Sequence, residues 1–171
     1  MEHLDEWQPT DYERYYLPGL RLAGIKDKRR IVLQNVADPH MHTQWSDGDD
    51  LDKVLDRALD QGLDAIAITD HDEIAGAMEA RRRVHERRLP LAVVPGTEVS
   101  SREGHIGGLF IMKEIPKDLS AAKTVELIHQ AGGMAVAHHP YSPKWLNKIL
   151  GVQLGCGDLI KSVPFDRSEE R

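Results

Sequence analysis

The sequence predicts an α/β fold, in which a mostly parallel sheet curls toward a barrel with helices on its outside. Three observations predict it. Short apolar runs alternate with stretches of helical periodicity along the 171 residues. Within three of those runs, one face carries mostly small residues and the other carries larger apolar ones. Acidic and imidazole side chains recur at or near the ends of the runs, as expected for polar groups converging at the C-terminal mouth of a barrel.

The elements follow in order. Residues 31–36 form the first strand candidate, ahead of Asp38-Pro39-His40-Met41-His42. Residues 49–61 read as a helix, with Leu51, Val54, Leu55, Ala58 and Leu59 as its apolar stripe and Gly62 at its end. Residues 64–69 form a strand, 73–88 a helix, 91–94 a strand and 105–112 another. Residues 120–131 form a helix that Ser120 caps and Gly132-Gly133 stops. A strand at 134–138, a short helix at 144–150 and a candidate final strand at 159–163 complete the domain, leaving 166–171 as a frayed polar end. Residues 1–30 form an arm whose Trp7, Tyr12, Tyr15 and Tyr16 are expected to pack over apolar surface near the barrel bottom. The domain proper is 31–171.

Composition narrows the function class. With 40% hydrophobic and 29% charged residues, the chain has the balance of a soluble protein able to build a core. It lacks the ~18-residue apolar run of a membrane span, and residues 1–6 lack the character of a signal peptide. The lone Cys156 excludes an intramolecular disulfide and suits the cytoplasm. A net charge of −6 argues against a broad nucleic-acid surface, though a cationic metal cluster could still draw a phosphorylated small molecule or nucleotide locally. The arginine-rich run 81–88 reads as the solvated C-terminal end of a helix rather than a phosphate patch, and His129 as a helix-surface residue.

The most informative segment is Asp38 to Gly48. Side chains alternate along a strand, so His40 and His42 share a face with Asp38, and Asp47 arrives from the following turn. Two imidazoles and a carboxylate can grip one metal ion, whereas the plainer reading is a pair of half-buried strand histidines. Thr69-Asp70-His71-Asp72, Gly96-Thr97-Glu98, His105 and His138-His139-Pro140 repeat the placement on four further segments, which favours the metal. His71 shares its face with Ala65, Ala67 and Thr69; Glu98 with Ala92, Val94 and Gly96; His139 with Ala135 and Ala137. His138 falls on the opposite face, so His139 is taken as the ligand and His138 as a packing or supporting residue.

These motifs, together with Thr43, Ser46-Asp47-Gly48 and Gly104-His105-Ile106-Gly107-Gly108-Leu109, resemble the PHP family (polymerase and histidinol phosphatase), in its small metal-dependent phosphoesterase branch. The resemblance spans about residues 36 to 140. It implies a distorted (βα)7 barrel with a trinuclear site at its mouth, holding two to three divalent ions of manganese, zinc or iron. By the same resemblance His40 and His42 hold one ion and Glu98 bridges it to a second. His105 and His139 complete that second site, Asp47 and His71 hold the third ion, and Asp38 and Asp70 orient imidazoles from behind.

The family's closing Asp-x-His pair has no counterpart, because no histidine follows His139. The barrel is therefore expected to be incomplete, with five or six strands, and the first and third ions to lose a ligand each. Its open edge is expected to be covered by the 1–30 arm, by the 150–171 tail or by a second copy of the chain, making a homo-oligomer an expected state. The activity implied is hydrolysis of a phosphomonoester or phosphodiester through a metal-activated hydroxide, weaker than in a full-length relative. Asp72, His138 or a metal-bound water would be the general acid. The alternative is a non-catalytic metal-binding or assembly module derived from such an enzyme. A hydrolase of the amidohydrolase type fits less well, since Glu98 stands where a modified lysine would bridge.

Overall fold

One sheet of six strands, arranged in sequence order, organises the computed structural model, which describes residues 36–169. Strands β1 (Ala37–Met41), β2 (Ala65–Ile68) and β3 (Ala92–Ser101) are parallel, joined by helices α1 (Leu51–Asp60) and α2 (Ala75–Arg87). Strand β4 (Gly104–Leu109) returns antiparallel to β3. Helix α3 (Ala121–Gln130) leads into β5 (Met134–Ala137), which is antiparallel to β4. Helix α4 (Lys144–Leu150) and a 3-10 turn (Gly157–Lys161) then lead to β6 (Arg167–Ser168), parallel to β5.

Local chemistry explains the helices. Asp50 caps α1, its carboxylate accepting from the Asp52 N–H at 3.0 Å. The stripe Leu51, Val54, Leu55 and Ala58 is buried against β2, as the 3.6-residue period requires. Ser120 caps α3 through the Lys123 N–H, and Ala121, Thr124, Val125 and Ile128 face inward.

The sheet is mixed because only Arg102 and Glu103 separate β3 from β4, and so short a link permits only a hairpin. The expected strand at 91–94 is thus the first part of a ten-residue strand. Pro95-Gly96, a turn signal in sequence, marks a change of neighbour: β3 pairs with β2 up to Pro95 and with β4 from Gly96 onward. A proline's missing N–H matters least where a ladder ends. This continuation carries Glu98 into the middle of a strand.

Four other expectations change. The first strand is described from Ala37, so His40 lies within it, while residues 31–35 and the 1–30 arm fall outside the described residues. Segment 159–163 belongs to the 3-10 turn and its exit. The supposedly frayed tail forms β6 and covers the β5 edge. The β5 faces are also reversed. Ala135 packs with Val125 and Ile128 under α3, while Val136 joins Ala67, Val94 and Leu109 on the concave side. Small residues on β5 therefore face the helix, and His138 follows Val136 inward by simple alternation.

The result is a curled half-barrel. Glu169, one residue past β6, reaches His40 on β1 at 2.7 Å, so the two edges of the sheet approach each other at the mouth. Larger apolar residues on the convex side, including Ile66, Ile68 and Ile106, are fully buried against helix residues such as Leu55 of α1 and Ile128 of α3. Among the described residues, no helix is long and apolar enough to cross a membrane.

Leu55→Ala is expected to destabilise the fold by about 2–5 kcal/mol, because its side chain is wholly enclosed. Ile149→Ser on the 71% exposed face of α4 should change stability by less than about 0.5 kcal/mol. Urea unfolding of both variants checks this.

Candidate metal centre

A buried carboxylate, that of Glu98 at 1% exposure, is the midpoint of the site. One of its oxygens lies 2.9 Å from His138 Nδ1, 3.0 Å from His139 Nε2 and 3.3 Å from His105 Nδ1. The other lies 3.1 Å from His42 Nε2, 3.3 Å from His40 Nε2 and 3.3 Å from His71 Nδ1. Six imidazoles from four segments thus divide three and three between its oxygens. His40 Nε2 and His42 Nε2 are themselves 2.9 Å apart.

Each side chain is delivered by a local device. The His42–Gly48 turn is held by Asp70, fully buried, whose carboxylate accepts from the Thr43 N–H and hydroxyl at 2.6 Å each and from the Ser46 hydroxyl at 2.7 Å. That turn swings Asp47 over the site, 2.8 Å from His42 Nδ1 and 3.7 Å from His71 Nε2. Glu98 is fixed by its main chain, its N–H donating to Asp70 O and its carbonyl accepting from the Asp72 N–H. Gly107, paired with Glu98 across the hairpin, makes room for His138: a Cβ there would fall on the His138 ring. Beyond β5, His139 takes a left-handed φ of 25°, which breaks the alternation and lets it reach Glu98 beside His138.

All seven expected ligands, His40, His42, Asp47, His71, Glu98, His105 and His139, therefore converge. The two expected proton donors sit differently. His138 is 1% exposed, stacked on His40 with ring centroids 3.8 Å apart, and bonded to Glu98. The Asp72 carboxylate turns to β3 and accepts from the Ser100 N–H at 2.7 Å. Asp70 bonds the turn rather than an imidazole, and Asp38 accepts from the His40 main-chain N–H at 3.1 Å. Glu169, read in sequence as part of a frayed end, pairs with His40 Nδ1 and accepts from the His139 N–H at 2.7 Å. Outside the site, Arg82, Arg83 and Arg87 are paired with Glu79, Glu86, Asp52 and Asp56. His129 bonds Asp166 at 2.8 Å, tying α3 to the start of β6.

The electrostatics are those of a site built for positive charge. Burial alone would raise the Glu98 pKa, but the imidazoles of His105, His138, His139 and His40 outweigh it and drive the carboxyl far below its ordinary range. Burial disfavours a charged His40, yet Glu169 and Glu98 push it up to about 9. Burial also opposes ionisation of Glu169, which His40 and the His139 N–H bring down to about 2. His71 and His138 are lowered by burial and stay neutral near pH 7.

The donor set fits divalent cations. A carboxylate has about four lone-pair positions and cannot satisfy six imidazoles. Accordingly Nδ1 of His71 and of His105, though each 3.3 Å from a Glu98 oxygen, makes no hydrogen bond, and Nδ1 of His139, on the far side of a ring that meets Glu98 through Nε2, is likewise buried without one. Such orphans cost about 1–3 kcal/mol each unless a ligand accepts their lone pairs. Groups of three donor atoms within 4.8 Å occur at His40, Glu98 and His139, at His42, His71 and Glu98, and at His40, His138 and Glu169. Mixed imidazole and carboxylate donors suit zinc, iron or manganese.

The PHP domain matches residues 38–166. A protein of Methanocaldococcus jannaschii of uncharacterised function is 39% identical over 135 residues, covering 72% of this chain and 77% of its own. The 5'-3' exoribonuclease Rnm of Salmonella typhimurium is 36% identical over 122 residues, covering 67% of this chain and 40% of that enzyme. Among solved structures, a two-domain protein of Bacteroides vulgatus containing a predicted PHP-like metal-dependent phosphoesterase superposes with a TM-score of 0.56 at 22% identity. The match covers 69% of this chain and 41% of that one. The chain thus spans about two fifths of these last two proteins.

Protons must leave His40 and His42 before an ion binds through them. Because the His40 pKa is pushed up to about 9, apparent zinc affinity is expected to rise between pH 7 and 9. Proton release on binding should accompany the rise. Chelator competition and calorimetry in buffers of different ionisation enthalpy measure both, and an affinity flat across that range would contradict the assignment. Gly107→Ala should weaken binding as His138→Ala does, since it displaces the same ring.

Proposed function

Because this chain belongs to the PHP domain family, we propose that it is a metal-dependent phosphoesterase acting on a phosphomonoester or phosphodiester, in a nucleotide or a small phosphorylated metabolite. The observation that carries this reading is the buried Glu98 carboxylate shared between two sets of three imidazoles. The Glu98 carboxylate and the surrounding imidazoles would hold divalent ions, which would supply Lewis-acid chemistry for phosphoester hydrolysis.

The protein's own residues do the rest. Glu98 binds on both sides and fixes the separation of the two donor sets. His40, His42 and His71 hold one set, and His105 and His139 the other. His138 lies beneath His40, out of reach of a substrate, and holds the Glu98 oxygen through Nδ1. Asp72 likewise braces β3 rather than facing the mouth. Asp47, with its side chain 70% exposed, is the acidic group at the rim where a substrate enters, and its carboxylate orients His42. The exoribonuclease relative cleaves phosphodiesters, which favours that half of the substrate class.

Turnover of bis-p-nitrophenyl phosphate with added manganese tests the proposal. Glu98→Gln should lower kcat/KM by more than about 100-fold, because it removes the charge common to both donor sets. Tight binding of ions with no turnover of either a phosphodiester or a phosphomonoester would instead identify a metal-binding module without catalysis.

A further inference from the structure

We propose that Glu169 is a positioning residue of the metal centre, clamping His40 across the seam between the first and last strands so that its Nε2 faces the ion. This rests on the reading of the Glu98 cluster as a metal centre and extends it to a residue outside the expected ligand set.

The geometry carries the argument. Strands β1 and β6 are the two edges of the sheet and are not hydrogen-bonded to each other. Glu169 bridges them. Its N–H donates to the Ala137 carbonyl at 3.1 Å, and one carboxylate oxygen accepts from the His139 N–H at 2.7 Å. Both anchors lie at the end of β5, and they leave the other oxygen aimed at His40 Nδ1, 2.7 Å away. Two-residue β6 is pinned at its start as well, where Asp166 bonds Ala135 through both its N–H and its carboxylate. The clamp therefore stands on fixed backbone.

His40 has two ring nitrogens with different surroundings. Its Nε2 stands 2.9 Å from His42 Nε2 and 3.3 Å from Glu98, among the converging donors. Its Nδ1 is taken by Glu169. An imidazole that binds an ion through one nitrogen donates the N–H of the other, and a carboxylate acceptor fixes its tautomer and strengthens its basicity. A competing arrangement uses the same atoms differently: His40 Nδ1, His138 Nε2 and Glu169 could themselves enclose a cation. The 4.0 Å from His138 Nε2 to Glu169, against 2.7 Å from His40, favours the clamp.

The test uses the full chain loaded with zinc, as wild type, Glu169→Ala and Glu169→Gln. Chelator competition should show one ion bound about 10–100-fold more weakly in Glu169→Ala, with a smaller loss in Glu169→Gln, whose amide oxygen still accepts from His40. The remaining zinc should keep its wild-type affinity. Long-range 1H–15N spectra of the zinc-loaded wild type should show His40 bound through Nε2 and protonated at Nδ1. Glu169→Gln preserves size and decides the matter if Glu169→Ala does not fold. Affinities within threefold of wild type for every ion, or zinc on His40 Nδ1, would overturn the clamp while leaving the metal centre standing. A wild-type chain that binds no zinc would overturn the metal centre itself, and the clamp with it.

Discussion

The fold is arranged around one unfavourable act, the burial of the Glu98 carboxylate. An isolated ion of this kind in a low-dielectric interior costs several kcal/mol even after relaxation, and it persists only when surrounded by compensating groups. Here the compensation is six imidazole nitrogens within 3.3 Å. That crowd would be self-repelling if fully protonated and is under-satisfied if neutral, as the buried Nδ1 atoms of His71, His105 and His139 show. Cations bound among these donors would resolve both problems together.

Much of the architecture serves to hold that carboxylate in place. Strand β3 is long because Glu98 must stand between two neighbours, bonded to the extension of β2 on one side and paired with Gly107 of β4 on the other. Gly107 yields its side-chain space to His138, so the hairpin supplies both the wall and the gap in it. Asp70, a second fully buried carboxylate, is satisfied by Thr43 and Ser46 and sets the turn that carries Asp47. The chain thus buries two acids for different ends. Asp70 accepts from hydroxyl and amide donors and builds structure, whereas Glu98 is ringed by imidazoles.

The proximity of the seven candidate ligands was more legible in the sequence than the limits of the elements that carry them. The seven expected ligands converge because their positions at the ends of apolar runs encode the mouth of a curled sheet, whatever the exact strand limits. Pro95-Gly96 hid the second half of β3, since a change of pairing partner within one strand leaves the same signature as a turn. The faces of β5 are the reverse of those its residue sizes predict, because Ala135 packs closely against α3 on the convex side. His139 escaped alternation altogether through its left-handed backbone. Glu169 was hidden by its surroundings: a two-residue strand in a charged tail has no period to read, and its role depends on the curl that brings β6 to β1.

Anomalous diffraction at the zinc edge, on crystals of the full chain grown with zinc, tests directly whether Glu98 joins bound cations. At least two peaks are expected, one beside each Glu98 oxygen at about 2.0–2.2 Å, each with two or more histidine nitrogens as further ligands. Zinc confined to surface carboxylates, with the Glu98 oxygens bonded only to imidazole N–H groups, would contradict that expectation.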